Sequence, residues 1–237
     1  TASDYLDNLR RGDELFLDLS FPTISGYADN GAIVHYEAEY ETAKKLEAKG
    51  LYLFDSGATY KDGTTDVTRT ISLGENTYEE KLHYTLVTIG MLRLLNTTFK
   101  RGAIGVCLDI KAREALWEHG LDYNHGTGHG VGFVNTVHEA PTSIRNKINK
   151  DVFRNLEFEP GMIMSDEPGV YISGKHGIRM EILMTVADKR DGFLGFEPLT
   201  MAPIDSEPLL VDVMTKKDIE FYNKYQKQVY DSISYGL

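Results

Sequence analysis

Five side chains able to ligate metal ions fall along this chain in an order few folds produce: Asp55 and Asp66, then His129, then Glu167 and Glu181. Each lies in a distinctive string: DSGATYKDGTTDVTRT holds the first two, HGTGHGVG the third, and SDEPG and GIRMEI the last two. Carboxylates gathered without cations repel one another and retain protons, so a chain that converges four of them is usually built to hold metal. Any fold this chain adopts must bring those distant strings to one place. The set points to a two-metal hydrolase.

Composition bounds the partners. The 237 residues suffice for one large domain or two small ones with a sizeable core. A formal charge of −11, from 25 basic and 36 acidic residues without a block of like charge, argues against nucleic acid and favours a metal or a cationic group at a carboxylate-lined site. Cys107 is the only cysteine, which rules out an internal disulfide and suits a reducing compartment. No apolar run reaches transmembrane length and the opening TASDYLDNLRRGDE is not a signal peptide, so the expected location is the cytoplasm, with no membrane partner. The chain starts at Thr1 without methionine, and the expectation is one catalytic domain over residues 1–237, the C-terminal part of something longer.

Periodicity predicts helices over Ser3 to about Phe16, Thr77 to about Phe99, Ile104 to His119 (closed by Gly120), and from an N-cap at Thr215 through Val229. By propensity Glu37 to Lys49 is also helical. Strands are expected at Leu51–Phe54, Val67–Ile71, Met162–Met164 and Ile178–Val186, so that the acidic residues sit on strands. Hairpins near Tyr60–Asp62 and Ser173–Lys175 would bring Asp55 to Asp66 and Glu167 to Glu181. DSGATYKDG and EPGVYISG share an order of carboxylate, glycine, tyrosine and glycine, which hints at two related hairpins about a pseudo-twofold axis.

The strings DSGATYKDGTTDVTRT, HGTGHGVG, VHEAP, DEPGVY and GIRMEI resemble the catalytic domain of the pita-bread metallopeptidases, and more narrowly the Xaa-Pro aminopeptidase branch. The similarity runs from LSFPTIS at Leu19 to FEPLT ending at Thr200. It implies an α+β pita-bread fold: a curved, mostly antiparallel sheet in pseudo-twofold halves, helices on its outer face and a dinuclear site in the concavity. By position, Asp55, Asp66, His129, Glu167 and Glu181 match the metal ligands, Asp66 and Glu181 matching the two bridging carboxylates. A lone Asp or Glu is most often a solvated surface charge, but five matches in order, each in its own motif, reverse that expectation. The resemblance also implies an extended course for Tyr36 to Gly50, against the helical propensity there.

The resemblance assigns further roles. Glu167 matches the residue credited with taking a proton from water, and His35 and His138 match residues around the substrate that stabilise the intermediate or move protons. The bland reading of each is a histidine satisfied by backbone. His125 either lines the proline pocket or supports the glycine-rich segment. Arg179 shares a strand face with Glu181 and matches a member of a proton-relay network, or serves as a plain counter-ion. His83, His119 and His176 match no ligand and read as structural or surface residues. The glycines of HGTGHGVG precede no phosphate-binding Lys-Ser or Lys-Thr, and close approach of backbone to metal and substrate is the preferred explanation.

Oxygen-rich ligands with one imidazole suit two divalent ions, Mn2+ first and Co2+ or Zn2+ as substitutes, which would supply a metal-bound hydroxide. The implied reaction is hydrolysis of the bond between an N-terminal residue and a following proline. A prolidase, restricted to Xaa-Pro dipeptides, is the alternative, followed by a non-catalytic peptide-binding pita-bread module. A methionine aminopeptidase fits the TTDVTRT string poorly. Apolar positions in FEPLTMAPI and in the Tyr-rich last helix raise the expectation of a homodimer.

Overall fold

The computed structural model describes residues 1–41, 43–134, 136–148 and 156–236. Helix α1 covers Ala2–Arg11, capped by Thr1, whose side chain and Asp4 exchange the two bonds of a capping box. It stops short of the predicted Phe16, because residues Phe16–Leu19 form strand β1, paired with Ala58–Tyr60 (β4), itself paired with Gly63–Thr64 (β5). Ile24–Tyr27 (β2), Leu51–Ser56 (β3) and Val67–Ser72 (β6) make a second antiparallel sheet in the order β2-β3-β6.

Between β2 and β3 the propensity-based helix over Glu37 to Lys49 is absent from the described residues, with residue 42 outside them. Tertiary pairing overrides propensity here: Glu37 bridges to Ile24, Lys49 bridges to Glu75, and the Tyr27 hydroxyl donates to the Lys49 carbonyl at 3.0 Å. The described part of Tyr36 to Gly50 is an irregular segment with isolated bridges at Glu37 and Lys49 and a turn at Tyr40 and Glu41, rather than a continuous extended run.

Helix α2, Tyr78–Leu95, starts at the N-cap Thr77 with a capping box to Glu80, and ends before β7 (Thr98–Lys100). It is buried on most of its circumference because it packs against α3, α4 and strands of the large sheet. Gly90 lets α3 approach: a Cβ there would lie 2.3 Å from the Ala112 carbonyl oxygen. The predicted helix from Ile104 is shorter than expected, a 3-10 turn over Gly105–Cys107 followed by α3 at Ile110–Trp117. Gly120 takes a left-handed φ of 69° just beyond it, as its position suggested.

The large sheet is antiparallel in the order β7-β14-β13-β10-β8-β9. Its further members are Gly128–Gly130 (β8), Glu139–Ile144 (β9), Ile163–Asp166 (β10), Ile182–Asp188 (β13) and Phe193–Pro198 (β14). Gly169–Ile172 (β11) and His176–Arg179 (β12) form a separate hairpin turning at the predicted place. The predicted strand Ile178–Val186 is therefore broken, with Met180 and Glu181 between β12 and β13. The last helix, α4 at Lys216–Ile233, has Thr215 as its N-cap. Tyr225 and Val229 of α4 join the core with Leu92, Leu94, Met180, Ile182 and Met184, while Tyr230 and Leu199 remain exposed.

The two halves repeat one wiring. β3 pairs with β6 around the inserted β4–β5 hairpin, and β10 pairs with β13 around the inserted β11–β12 hairpin. The echo in the sequence corresponds to this repeated strand–hairpin–strand plan.

Candidate metal centre

In each half one carboxylate precedes the inserted hairpin and one follows it. Asp55 lies on β3 and Asp66 immediately before β6; Glu167 follows β10 and Glu181 precedes β13. Only Asp55 and His129 are within strands, so the expectation that all the acidic residues sit on strands is corrected: the others occupy the junctions where the ladder opens. Two bonds fasten the halves together: the Glu181 amide donates to the Thr68 carbonyl at 3.1 Å, and the Thr68 hydroxyl donates to Glu181 Oε2 at 2.7 Å. On the large-sheet side the Glu167 amide donates to the Thr127 carbonyl at 2.8 Å.

All five residues line one cavity of about 460 Å³. Donor atoms of Asp66, His129 and Glu181 lie within 4.8 Å of one another. His129 Nε2 stands 3.1 Å from Glu167 Oε1 and 3.5 Å from Asp66 Oδ2, while its Nδ1 faces the Gly130 carbonyl at 2.9 Å. That carbonyl holds the proton on Nδ1 and turns Nε2 towards the carboxylates, the arrangement of a metal-ligating imidazole. Asp55 Oδ2 accepts from Arg179 Nη2 at 2.7 Å, and its buried Oδ1 has no hydrogen-bond partner among the described residues.

The electrostatics express the same crowding. Burial, then the charges of Glu181, Asp55 and Glu167, push the Asp66 carboxyl well above its ordinary range. Burial, then Glu167 and Asp55, raise Glu181 to about 8. Burial opposes charge on His129, yet its hydrogen bond and attraction to Glu167 prevail and raise it to about 9. Burial likewise acts against ionised Glu167, but His129 holds it below its usual value. Without cations the cluster keeps protons that it would release to metal, and the orphaned Asp55 oxygen has a natural partner in a cation. The donor set, rich in oxygen with one imidazole, fits divalent ions.

The sequence comparisons agree with this geometry. Residues 2–188 match metallopeptidase family M24, and residues 192–237 match the C-terminal region of peptidase M24. The chain belongs to metallopeptidase family M24. It is 41% identical over 237 residues to a probable Xaa-Pro aminopeptidase P of Tuber melanosporum, covering 97% of this chain and 38% of that protein. Identity to aminopeptidase P1 of Arabidopsis thaliana is 41% over 241 residues, covering 99% of this chain and 37% of the relative. The chain thus spans about two fifths of the length of these relatives. Among solved structures, an X-prolyl aminopeptidase from Caenorhabditis elegans, described as a cytosolic enzyme with a di-nuclear active site, superposes with a TM-score of 0.93 at 36% identity, over 99% of this chain and 38% of its own. A prolidase from Pyrococcus furiosus gives 0.71 at 26% identity, over 84% of this chain and 54% of its own. The fold is the α+β pita-bread architecture of this M24 group.

Around the M24 centre the predicted outer residues take distinct places. His35 and His138 line the cavity and are both exposed, with the His138 ring edge-on to His129 at 4.4 Å between centroids. Burial, then the charge of His129, hold His138 below its ordinary pKa. His125 lines the same cavity; its Nδ1 faces the Gly126 carbonyl at 2.8 Å and its Nε2 the Tyr171 hydroxyl at 2.9 Å. Arg179 reaches both the Tyr171 hydroxyl, at 2.9 Å, and the Thr68 hydroxyl, at 3.1 Å, besides Asp55. His83 and His176, set apart from the ligands in the sequence reading, form a buried pair at 2.9 Å.

Three contributors to the site escaped the sequence. Thr68 and Tyr171 stood inside the quoted motifs but have side chains too common to single out, and Arg145 lines the cavity from outside every motif. One of the glycines has a second reason. A Cβ on Gly128 would lie 2.0 Å from the Ser165 carbonyl oxygen, so this glycine serves the contact between β8 and β10 as well as lining the cavity with Gly126.

Proposed function

We propose that this chain is a two-metal Xaa-Pro aminopeptidase, releasing the N-terminal residue of peptides whose second residue is proline. The carrying observation is the convergence in one cavity of Asp55, Asp66, His129, Glu167 and Glu181 with His35, His125, His138 and Arg179. In this reading the first five would hold two divalent ions, with Mn2+ as the preferred metal and Asp66 and Glu181 as the carboxylates that the two ions would share. When bound, the ions supply an acidified water and positive charge against the developing oxyanion.

The remaining chemistry belongs to the side chains. Glu167 accepts a proton from water at a carboxylate oxygen, aided by the Ser165 hydroxyl, which donates to Glu167 Oε1 at 3.0 Å and fixes its orientation. His138 and His35 face the substrate from the cavity wall, and an imidazole there donates to the carbonyl oxygen as charge builds. Arg179 orients Asp55 and, through Tyr171, the ring of His125, which forms part of the wall offered to the proline ring. Phe21, Pro22, Ile24 and Val34 add an apolar side to the cavity.

The 237 residues act as one catalytic domain in the cytoplasm and assemble as a homodimer through apolar positions left exposed, including Leu199 and Tyr230. Light scattering that finds only monomer at high concentration removes the dimer. Similarity to the Pyrococcus furiosus prolidase keeps a dipeptidase as second reading. A metal-reconstituted assay with an Xaa-Pro dipeptide, an Xaa-Pro-Xaa tripeptide and a proline-free peptide separates them. Cleavage of the tripeptide is expected; cleavage of the dipeptide alone establishes the prolidase, and tight binding without cleavage a non-catalytic module.

A further inference from the structure

Residues 118–127, between α3 and β8, contain no helix or strand, yet they carry the cavity-lining His125 and Gly126 and lead directly into His129. Their position is set from behind by a side chain that never reaches the cavity. Arg113 of α3 is fully buried, and its guanidinium donates from Nε to Asp109 Oδ2 at 2.6 Å, from Nη1 to Asp122 Oδ1 at 2.6 Å and to the Tyr123 carbonyl at 2.7 Å, and from Nη2 to the His125 carbonyl at 2.9 Å. The guanidinium also lies 3.7 Å from the centroid of the Tyr123 ring. A planar fork is the side chain that satisfies such a spread of acceptors at once; an ammonium presents a single point.

The anchor continues to a proposed metal ligand. The second oxygen of Asp109, itself buried, accepts from the Thr127 hydroxyl at 2.5 Å. Because Thr127 spends its proton on that carboxylate, the Tyr123 hydroxyl, also at 2.5 Å, must be the donor to Thr127. The Thr127 carbonyl in turn accepts the Glu167 amide, and the Thr127 amide donates to the Ile144 carbonyl, both at 2.8 Å. An unbroken path of bonds therefore runs from Arg113 through Asp109 and Thr127 to the backbone of Glu167. A buried ion pair is weak as a source of stability and better suited to selecting one conformation.

We infer that Arg113, Asp109 and Thr127 are positioning residues for the hydrolytic site: they fix where the His125 ring and the Glu167 carboxylate stand, without touching substrate. The inference rests on the proposed peptidase reading, and its test has one arm that does not. Thr127→Val keeps the side-chain shape and removes the hydroxyl, Thr127→Ser restores it, and Arg113→Lys keeps charge without the fork. In metal-loaded protein, with turnover normalised to bound metal and folded fraction, Thr127→Val and Arg113→Lys should lower kcat for an Xaa-Pro-Xaa peptide by about tenfold to a hundredfold with KM little changed, and Thr127→Ser should stay near the parent. In metal-free protein, amide exchange at Glu167 should quicken in Thr127→Val but not in Thr127→Ser, while Met184 in the core strand β13 is unchanged. Normalised kcat of Thr127→Val equal to that of Thr127→Ser overturns the inference, as does equal exchange at Glu167. If Arg113→Lys does not fold, the Thr127 pair decides. If the parent cleaves no Xaa-Pro peptide, the proposed function falls and the exchange arm alone decides the positioning role.

Discussion

At the scale of single residues, the roles proposed for His129 and His138 separate cleanly because their rings touch but their surroundings differ. His129 points Nε2 at Asp66 and Glu167, whereas His138 is exposed on the cavity wall. His129→Ala should therefore weaken metal binding, and His138→Ala should keep both ions while lowering turnover by about a hundredfold or more. Metal content measured beside turnover checks both, and loss of ions from His138→Ala would make it a ligand. Asp66→Ala should lose metal and activity together while remaining folded; two retained ions with near-normal turnover would end its assignment. The protons that the cluster holds when free of metal make a further prediction. Glu181 and His129, raised to about 8 and about 9, hold protons that the unfolded chain gives up at lower pH, so the folded state binds more protons and metal-free stability falls as pH rises through that range. Thermal unfolding from pH 5 to 9 should show this decline in chelated protein and its suppression by metal. A melting temperature that climbs with pH in the chelated sample contradicts the protonation pattern. All five proposed ligands were legible in the sequence because metal chemistry restricts residue type, while Thr68 and Arg145 were not, since a hydroxyl or a guanidinium gains its role only from what folds beside it.

At the scale of elements, sequence signals succeeded where the cause is local and failed where it is distant. Thr215 was readable as an N-cap, and Thr77 as a helix start, because a cap acts within one turn, and the Ser173–Lys175 turn because a hairpin closes on its own neighbours. The propensity of Glu37 to Lys49 misled because bridges to Ile24 and Glu75 decide that segment. The predicted strand through Glu181 was too continuous, since nothing local signals that the chain leaves one pairing for another at Met180. The contact of β8 with β10 gives this scale its prediction. Gly128→Ala would drive a methyl group into the Ser165 carbonyl, and relieving that overlap moves His129, one residue away. Stability should fall by about 1–3 kcal/mol, as expected for overpacking. Metal affinity should weaken by about tenfold or more, the scale of a disturbed supporting shell. Denaturant titration and metal-binding calorimetry read these effects, and unchanged affinity would show that β8 absorbs the methyl without shifting its histidine.

At the scale of the whole molecule, the C-terminal region is tied to the site through Arg69. Its guanidinium donates to the carbonyls of Glu181 at 2.6 Å, Ala202 at 2.6 Å and Pro203 at 2.9 Å, and to the Tyr225 hydroxyl of α4 at 2.9 Å. Arg69→Met should cost about 3 kcal/mol or more, because it strands several buried acceptors at once, whereas Tyr225→Phe should cost about 1–2 kcal/mol. Chemical denaturation of both variants checks the ranking, and a milder loss in Arg69→Met than in Tyr225→Phe would refute it. The repeated strand–hairpin–strand plan bears on how the protein is made. Neither half owns a full set of the proposed ligands: Asp55 and Asp66 leave the ribosome well before His129, Glu167 and Glu181. A nascent chain that has exposed only the first pair offers two of the five proposed ligands and lacks His129, Glu167 and Glu181. With the ligands as proposed, a complete metal site would form only after synthesis has passed Glu181, and a product truncated before it would lack both the site and the proposed activity.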